Sequence, residues 1–88
     1  MRQPPDFFGE QDLDLLYIAK KLEDAKRLEA LLDEADLDYL VEPDKYKGGV
    51  IFQSERIGAF FYVAPEAHQQ ACKTLALASY RPYDPENP

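Results

Sequence analysis

Between residues 13 and 78 the apolar positions change their spacing several times, and each change marks an element. LDLLYIA (13–19) is apolar through its centre, as a strand shielded on both faces would be. From Leu22 the spacing becomes helical. Leu22, Ala25, Leu28, Leu32 and Ala35 fall on one stripe and Glu23 precedes Arg27 by one turn, which predicts an amphipathic helix over 22–35. LDYLVE (37–42) alternates and is closed by Pro43, so a second strand is expected there. PDKYKGG follows as a turn-rich segment in which Gly48 and Gly49 supply permissive backbone. VIFQ (50–53) and IGAFFYVA (57–64) flank the polar SER and read as the two arms of a hairpin. Pro65 and Glu66 open a second helix, whose buried stripe is Ala67, Ala71, Leu75 and Ala78. The predicted order is β-α-β-β-β-α, an α+β two-layer sandwich in which a mainly antiparallel sheet carries both helices on one face.

Two helices on one face leave the other face open. Side chains alternate along a strand, so if Leu15, Tyr17, Tyr39, Val41, Ile57, Ala59, Phe61 and Val63 face the helices, then Leu16, Ile18, Leu40, Phe60 and Tyr62 point the other way. Asp14, Lys20, Asp38 and Glu42 rim that outer set. An apolar centre with a polar rim is the composition of an interaction surface. Its cover is a second copy of the chain, making a homo-oligomer and most simply a dimer, or one of the terminal segments, or a protein or small-molecule ligand. Residues 1–11 and 81–88, rich in proline, read as tails around a single domain at 12–80, and Phe7, Phe8, Tyr80 and Tyr83 give those tails aromatic means of docking.

Length and charge narrow the partners. A chain of 88 residues supports one modest core, which association would help to cover. The net charge of −7, from 17 acidic and 10 basic residues, opposes binding to nucleic acid or to an anionic membrane. An aromatic sheet face could stack on RNA bases, but that mode needs basic surroundings and this rim is acidic. A single cysteine makes no internal disulfide, and neither an apolar signal region nor a membrane-length apolar run is present, so a cytoplasmic protein is expected.

Candidate chemistry is sparse. His68 and Cys72 lie one turn apart on the second helix, and could serve as two zinc ligands or as a base beside a thiol, the core of a metal-dependent enzyme. No second His or Cys completes either set, so a solvated histidine beside a core-edge cysteine is the simpler account. Lys45, Lys47, Gly48 and Gly49 form a possible loop for an anionic metabolite, through backbone N–H groups and nearby ammonium charges, although a plain turn also explains them. The acidic stretch DEADLD (33–38) lacks the regular spacing and turn glycine of a calcium loop. Its acids at the end of the first helix, like Lys20 and Lys21 at its start, oppose the helix dipole at a cost of roughly 0.3–1 kcal/mol each when exposed. No catalytic constellation, cofactor motif or metal set is visible, so a non-enzymatic protein is expected.

LYIAKKLEDAKRLEALLDEADLDYLVE, followed by IGAFFYVAPEAHQQACKTL, resembles the prokaryotic signal-transducing protein family, small bacterial domains of unknown function likened to the nitrogen-regulatory PII proteins. The likeness covers most of the chain between the tails and rests on architecture. It implies a ferredoxin-like sheet and a regulatory binding role. Asp36 stands about where such domains have a glycine after the first helix, at a left-handed position that aspartate tolerates better than most residues. The combined expectation is a binding or regulatory module that self-associates through Leu16, Ile18, Leu40, Phe60 and Tyr62. The alternatives are a ligand sensor at Lys45–Gly49 and a metal-dependent enzyme at His68 and Cys72.

Overall fold

The computed structural model describes residues 1–48 and 54–84. Three strands and two helices alternate in it as β1 (Asp14–Ala19), α1 (Leu22–Glu34), β2 (Leu40–Gly48), β3 (Ser54–Val63) and α2 (His68–Leu77). The sheet is antiparallel with strand order β1-β3-β2. Leu28 and Leu32 of α1 and Ala71 and Leu75 of α2 join Leu16, Tyr39, Phe61 and Val63 in a single core, so both helices lie over one side of the sheet. The fold is α+β, with three strands among the described residues.

The expected break in the hairpin region does not occur. Pro43 lies inside β2, opposite Ala59, and β2 runs on through Lys45 to Gly48. A proline ends a central strand because it lacks a donor, whereas an edge strand can turn the missing N–H to its free side. Ser54 and Arg56 belong to β3, which is continuous to Val63. Polar residues suit this stretch because it extends past the helices: Ile57, expected in the core, is 71% exposed. The short strand expected at 50–53 lies outside the described residues, as does Gly49.

A bulge in β1 sets the facing of the side chains. Leu15 pairs with Tyr62 and Tyr17 with Phe61, so Leu16 is an extra residue and shares the place opposite Phe61 with Tyr17. Strict alternation puts Leu16 on the outer face; the bulge puts it in the core, with no exposed surface. Leu15, expected inside, consequently pairs on the outer side with Tyr62. Beyond the bulge the alternation resumes, with Ile18 opposite Phe60 and Ala19 opposite Ala59.

Both helices end in the same way without glycine. After α1, Leu37 N–H donates to the Leu32 carbonyl and Asp36 N–H to that of Asp33, with Asp36 at φ 57°. After α2, Tyr80 N–H donates to Leu75 and Ser79 N–H to Ala76, with Ser79 at φ 67°. These are Schellman motifs, in which a left-handed residue lets the chain reverse and its successor fold back over the last turn. The successors, Leu37 and Tyr80, both pack with the core.

The terminal segments are docked along the sheet edges. Gln3 N–H donates to the Tyr39 carbonyl at 2.8 Å and Tyr39 N–H to that of Met1 at 3.3 Å, a short parallel pairing just ahead of β2. A 3-10 turn at Pro5–Phe8 follows, ending at Gly9 in the left-handed region with φ 66°. At the other end, Tyr83 N–H donates to the Leu16 carbonyl at 2.7 Å, on the open side of β1.

Leu16→Ala is expected to destabilise the protein by about 2–5 kcal/mol, as for a buried leucine, and Leu15→Ala by about 1 kcal/mol or less. Urea unfolding of the two variants measures this, and equal losses would contradict the bulged register. Asp36→Gly should stabilise by about 1 kcal/mol, combining relief of left-handed strain with removal of an acid from a helix C-terminus. Thermal unfolding should then show a Tm higher by about 4–8 °C.

Candidate functional site

The outer face of the sheet, opposite the helices, is built by register alone. Leu15, Tyr62 and Leu40 form one row across the three strands, and Ile18, Phe60 and Glu42 form the next. None of Leu15, Ile18, Leu40, Phe60 or Tyr62 belongs to the core beneath the helices. Leu40 and Phe60 nevertheless retain only 8% and 9% of their surface. The apolar surface still accessible here is therefore that of Leu15, Ile18 and Tyr62, each half-buried. Burial, and then the negative charges of Glu42 and Asp44, push the Tyr62 phenol up from its ordinary range, as expected where those carboxylates share its face. Of the five residues expected on this surface, Leu16 alone is placed elsewhere.

A cleft of about 530 Å³ lies beside this face, at the edge of β1. Ile18, Lys20 and Tyr46 line one side, and Arg81, Pro82 and Tyr83 of the C-terminal segment line the other. Tyr17, Lys21, Asp24 and Asp84 complete the wall. The Tyr46 ring is seated on Gly58, where an added Cβ would come within 3.0 Å of its Cε1 and 3.1 Å of the Ala19 carbonyl oxygen. The Lys20 ammonium lies 5.2 Å from the centre of the same ring, within cation–π range. Tyr17 meets Tyr80 edge to face at 5.7 Å, and burial followed by the charge of Asp24 pushes its phenol up.

A second cavity, of about 330 Å³, lies between the N-terminal segment and the start of the second helical region. Phe7 and Phe8 line it together with Asp36, Asp38 and Glu66. Its charged lining is acidic, the opposite of the lysines at the β1 edge.

Of the expected glycine loop, the three described residues lie in a strand and Gly49 is outside the described residues. Lys45, Lys47 and Gly48 lie in β2, paired in the ladder with Ile57, Glu55 and Ser54. An extended strand held in register does not curve its N–H groups around an anion.

His68 and Cys72 are brought to Asp14 at the start of β1. The His68 Nδ1 lies 3.5 Å from the Asp14 Oδ2, in a half-exposed pair of the sort that contributes little to stability. Cys72 is half-buried, and burial followed by the charge of Asp14 pushes its thiol up from the usual value. That is the reverse of thiolate activation, which requires a positive neighbour. Among the described residues, no three His, Cys, Asp or Glu side chains converge to hold a metal ion.

The acids after α1 are partly matched by local donors. The Tyr39 hydroxyl donates to the Asp33 Oδ1 at 3.1 Å, and the Met1 amino group stands 3.4 Å from the same oxygen. Burial and that hydrogen bond push the Tyr39 phenol well above its ordinary range. Arg2 reaches Glu29 at 3.4 Å.

Compared with known proteins, the chain matches no family model, no curated protein sequence and no solved structure. Among the described residues no helix is long and apolar enough to cross a membrane.

The raised Cys72 thiol has a chemical consequence. Alkylation by iodoacetamide at pH 7 should run slower than for a free cysteine, and its rise with pH should level off later than for the free thiol, since the thiolate is the reacting form. A rate equal to or faster than that of the free thiol would show an activated cysteine instead.

Proposed function

We propose that the protein is a non-enzymatic binding module of regulatory type that pairs with a second copy of itself through the outer face of its sheet. The observation that carries this reading is the row Leu15–Tyr62–Leu40 beside Ile18–Phe60, apolar across all three strands, with α1 and α2 both on the opposite side of the sheet. Charged Glu42 and Asp44 border it on β2, which is the arrangement of an interface centre and rim. The docked terminal segments fit it too, since their backbone bonds lie at Tyr39 and at the edge of β1 and not on these rows.

A ferredoxin-like architecture fits the same reading. The strand order β1-β3-β2 and the β-α-β-β-α succession correspond to that fold up to its last strand, and Tyr83 lies beside β1, where the fourth strand would stand. The likeness to the PII-like signal-transducing domains rests on this architecture. A cytoplasmic setting belongs to the proposal, supported by the single free cysteine.

Because Leu40 and Phe60 are already largely covered, the apolar area left to gain is small, and a dimer with a dissociation constant around micromolar is expected. Light scattering over a dilution series should show the mass falling from dimer to monomer. Tyr62→Lys, which sets an ammonium among Glu42 and Asp44 in the free chain and buries it on association, should be monomeric throughout with an unchanged circular dichroism spectrum. A monomeric parent chain, or a Tyr62→Lys variant as dimeric as the parent, would overturn the proposal.

A further inference from the structure

We propose that the cleft at the edge of β1 binds a small aromatic anion, with its charged group at Lys20 and Lys21 and its ring against Tyr46 and Tyr83. The inference does not rest on self-association.

Three independent features of the cleft point to such a ligand. Its volume of about 530 Å³ falls in the range of small-molecule sites, roughly 300–1,000 Å³. Among the described residues its lysines lack carboxylate partners. In a chain with 17 acids and 10 bases, two adjacent ammonium groups would be expected to collect carboxylates, yet neither Lys20 nor Lys21 forms an ion pair among the described residues. Asp24 is in the wall, but its effect there is on the Tyr17 phenol. Asp84 and Arg81 are each already engaged, so they shape the cleft and are not counted toward its binding charge.

The third feature is that the Tyr46 ring and the Tyr83 backbone are held before any ligand arrives. Gly58 leaves room for the Tyr46 ring directly on the backbone of β3, and a side chain there would have to displace the ring or press on the Ala19 carbonyl. The backbone of Tyr83 is held by its N–H bond to Leu16. A planar body entering the cleft meets Tyr46 and Tyr83 in its lining, while Lys20, 5.2 Å from the centre of the Tyr46 ring, stands where an attached anionic group can take it as partner. A carboxylate, a phosphate monoester and a sulfonate share this chemistry. An anion without a ring would use only half the site.

The test is a titration of the isotopically labelled full chain with phenyl phosphate, read by amide chemical shifts, with inorganic phosphate and phenol as separate arms. Saturable shifts at residues 17–24, 46 and 81–84 are expected, and tighter binding of phenyl phosphate than of either fragment. Replacing both lysines, Lys20→Gln with Lys21→Gln, should weaken phenyl phosphate by about tenfold or more, the loss of one charge-assisted bond. Tyr46→Ala should remove the advantage of phenyl phosphate over inorganic phosphate. The absence of saturable shifts, affinity unchanged in the double lysine variant, or shifts confined to Leu15, Leu40 and Tyr62 would each overturn the site. Equal binding of inorganic phosphate and phenyl phosphate would overturn the aromatic part of the assignment. Light scattering on the same samples separates this result from the self-association proposal, because a monomer that binds phenyl phosphate upholds the cleft while failing the dimer.

Discussion

The extra residue in β1 is the constraint on which the two surfaces of the molecule depend. By sharing one place in the ladder, Leu16 and Tyr17 allow Leu16 to enter the core while Leu15 and Ile18 remain on the outer side. A one-residue shift normally reverses every side chain beyond it, and the bulge absorbs that shift within a single pair. It also aims Tyr17 toward Tyr80, so the segment following α2 is drawn to the edge of β1, where Tyr83 takes the Leu16 carbonyl. The cleft exists because the chain returns to this edge. One irregular residue thus links core packing, the composition of the outer face and the position of the C-terminal segment.

The helices were legible because a stripe with helical spacing has few other readings. Leu28, Leu32, Ala71 and Leu75, all on the expected stripes, are the residues that the helices bury. The left-handed turn at Asp36 was expected only from the resemblance to domains with a glycine there, and its counterpart at Ser79 was not expected, because serine there carries no signal that distinguishes it from an ordinary helix-terminal residue. The sheet was harder. LDLLYIA is apolar at consecutive positions, so its sequence admits either alternation and conceals the bulge. Pro43 and the polar SER looked like breaks because such residues are rare in a strand covered on both sides, yet this hairpin has a free edge and extends beyond the helices. Lys20 and Lys21 stood out as an oddity of charge. Their cleft could not be read because Tyr46, Arg81 and Tyr83 approach them only through the strand order β1-β3-β2 and the returning C-terminal segment.

Charge is distributed unequally along α1, and this bears on where a ligand would bind. Its ends carry the reverse of what the helix dipole favours, with Lys20 and Lys21 ahead of it and Asp33, Glu34 and Asp36 at and after its last turn. At the C-terminal end the protein supplies its own compensation: the Met1 amino group and the Tyr39 hydroxyl reach Asp33, while Arg2 reaches Glu29. At the N-terminal end, Glu23 and Asp24 offset the lysines along the helix axis, but neither forms an ion pair with them, and Lys21 makes no side-chain capping bond. The same chain therefore neutralises an acidic excess with its own groups and leaves a smaller basic one facing a cleft. An acid-rich surface repels anions at long range, so a site that takes one must supply local charge that its own carboxylates do not consume. Lys20 and Lys21 meet that condition at the β1 edge, where Tyr46 and Tyr83 line the same cleft.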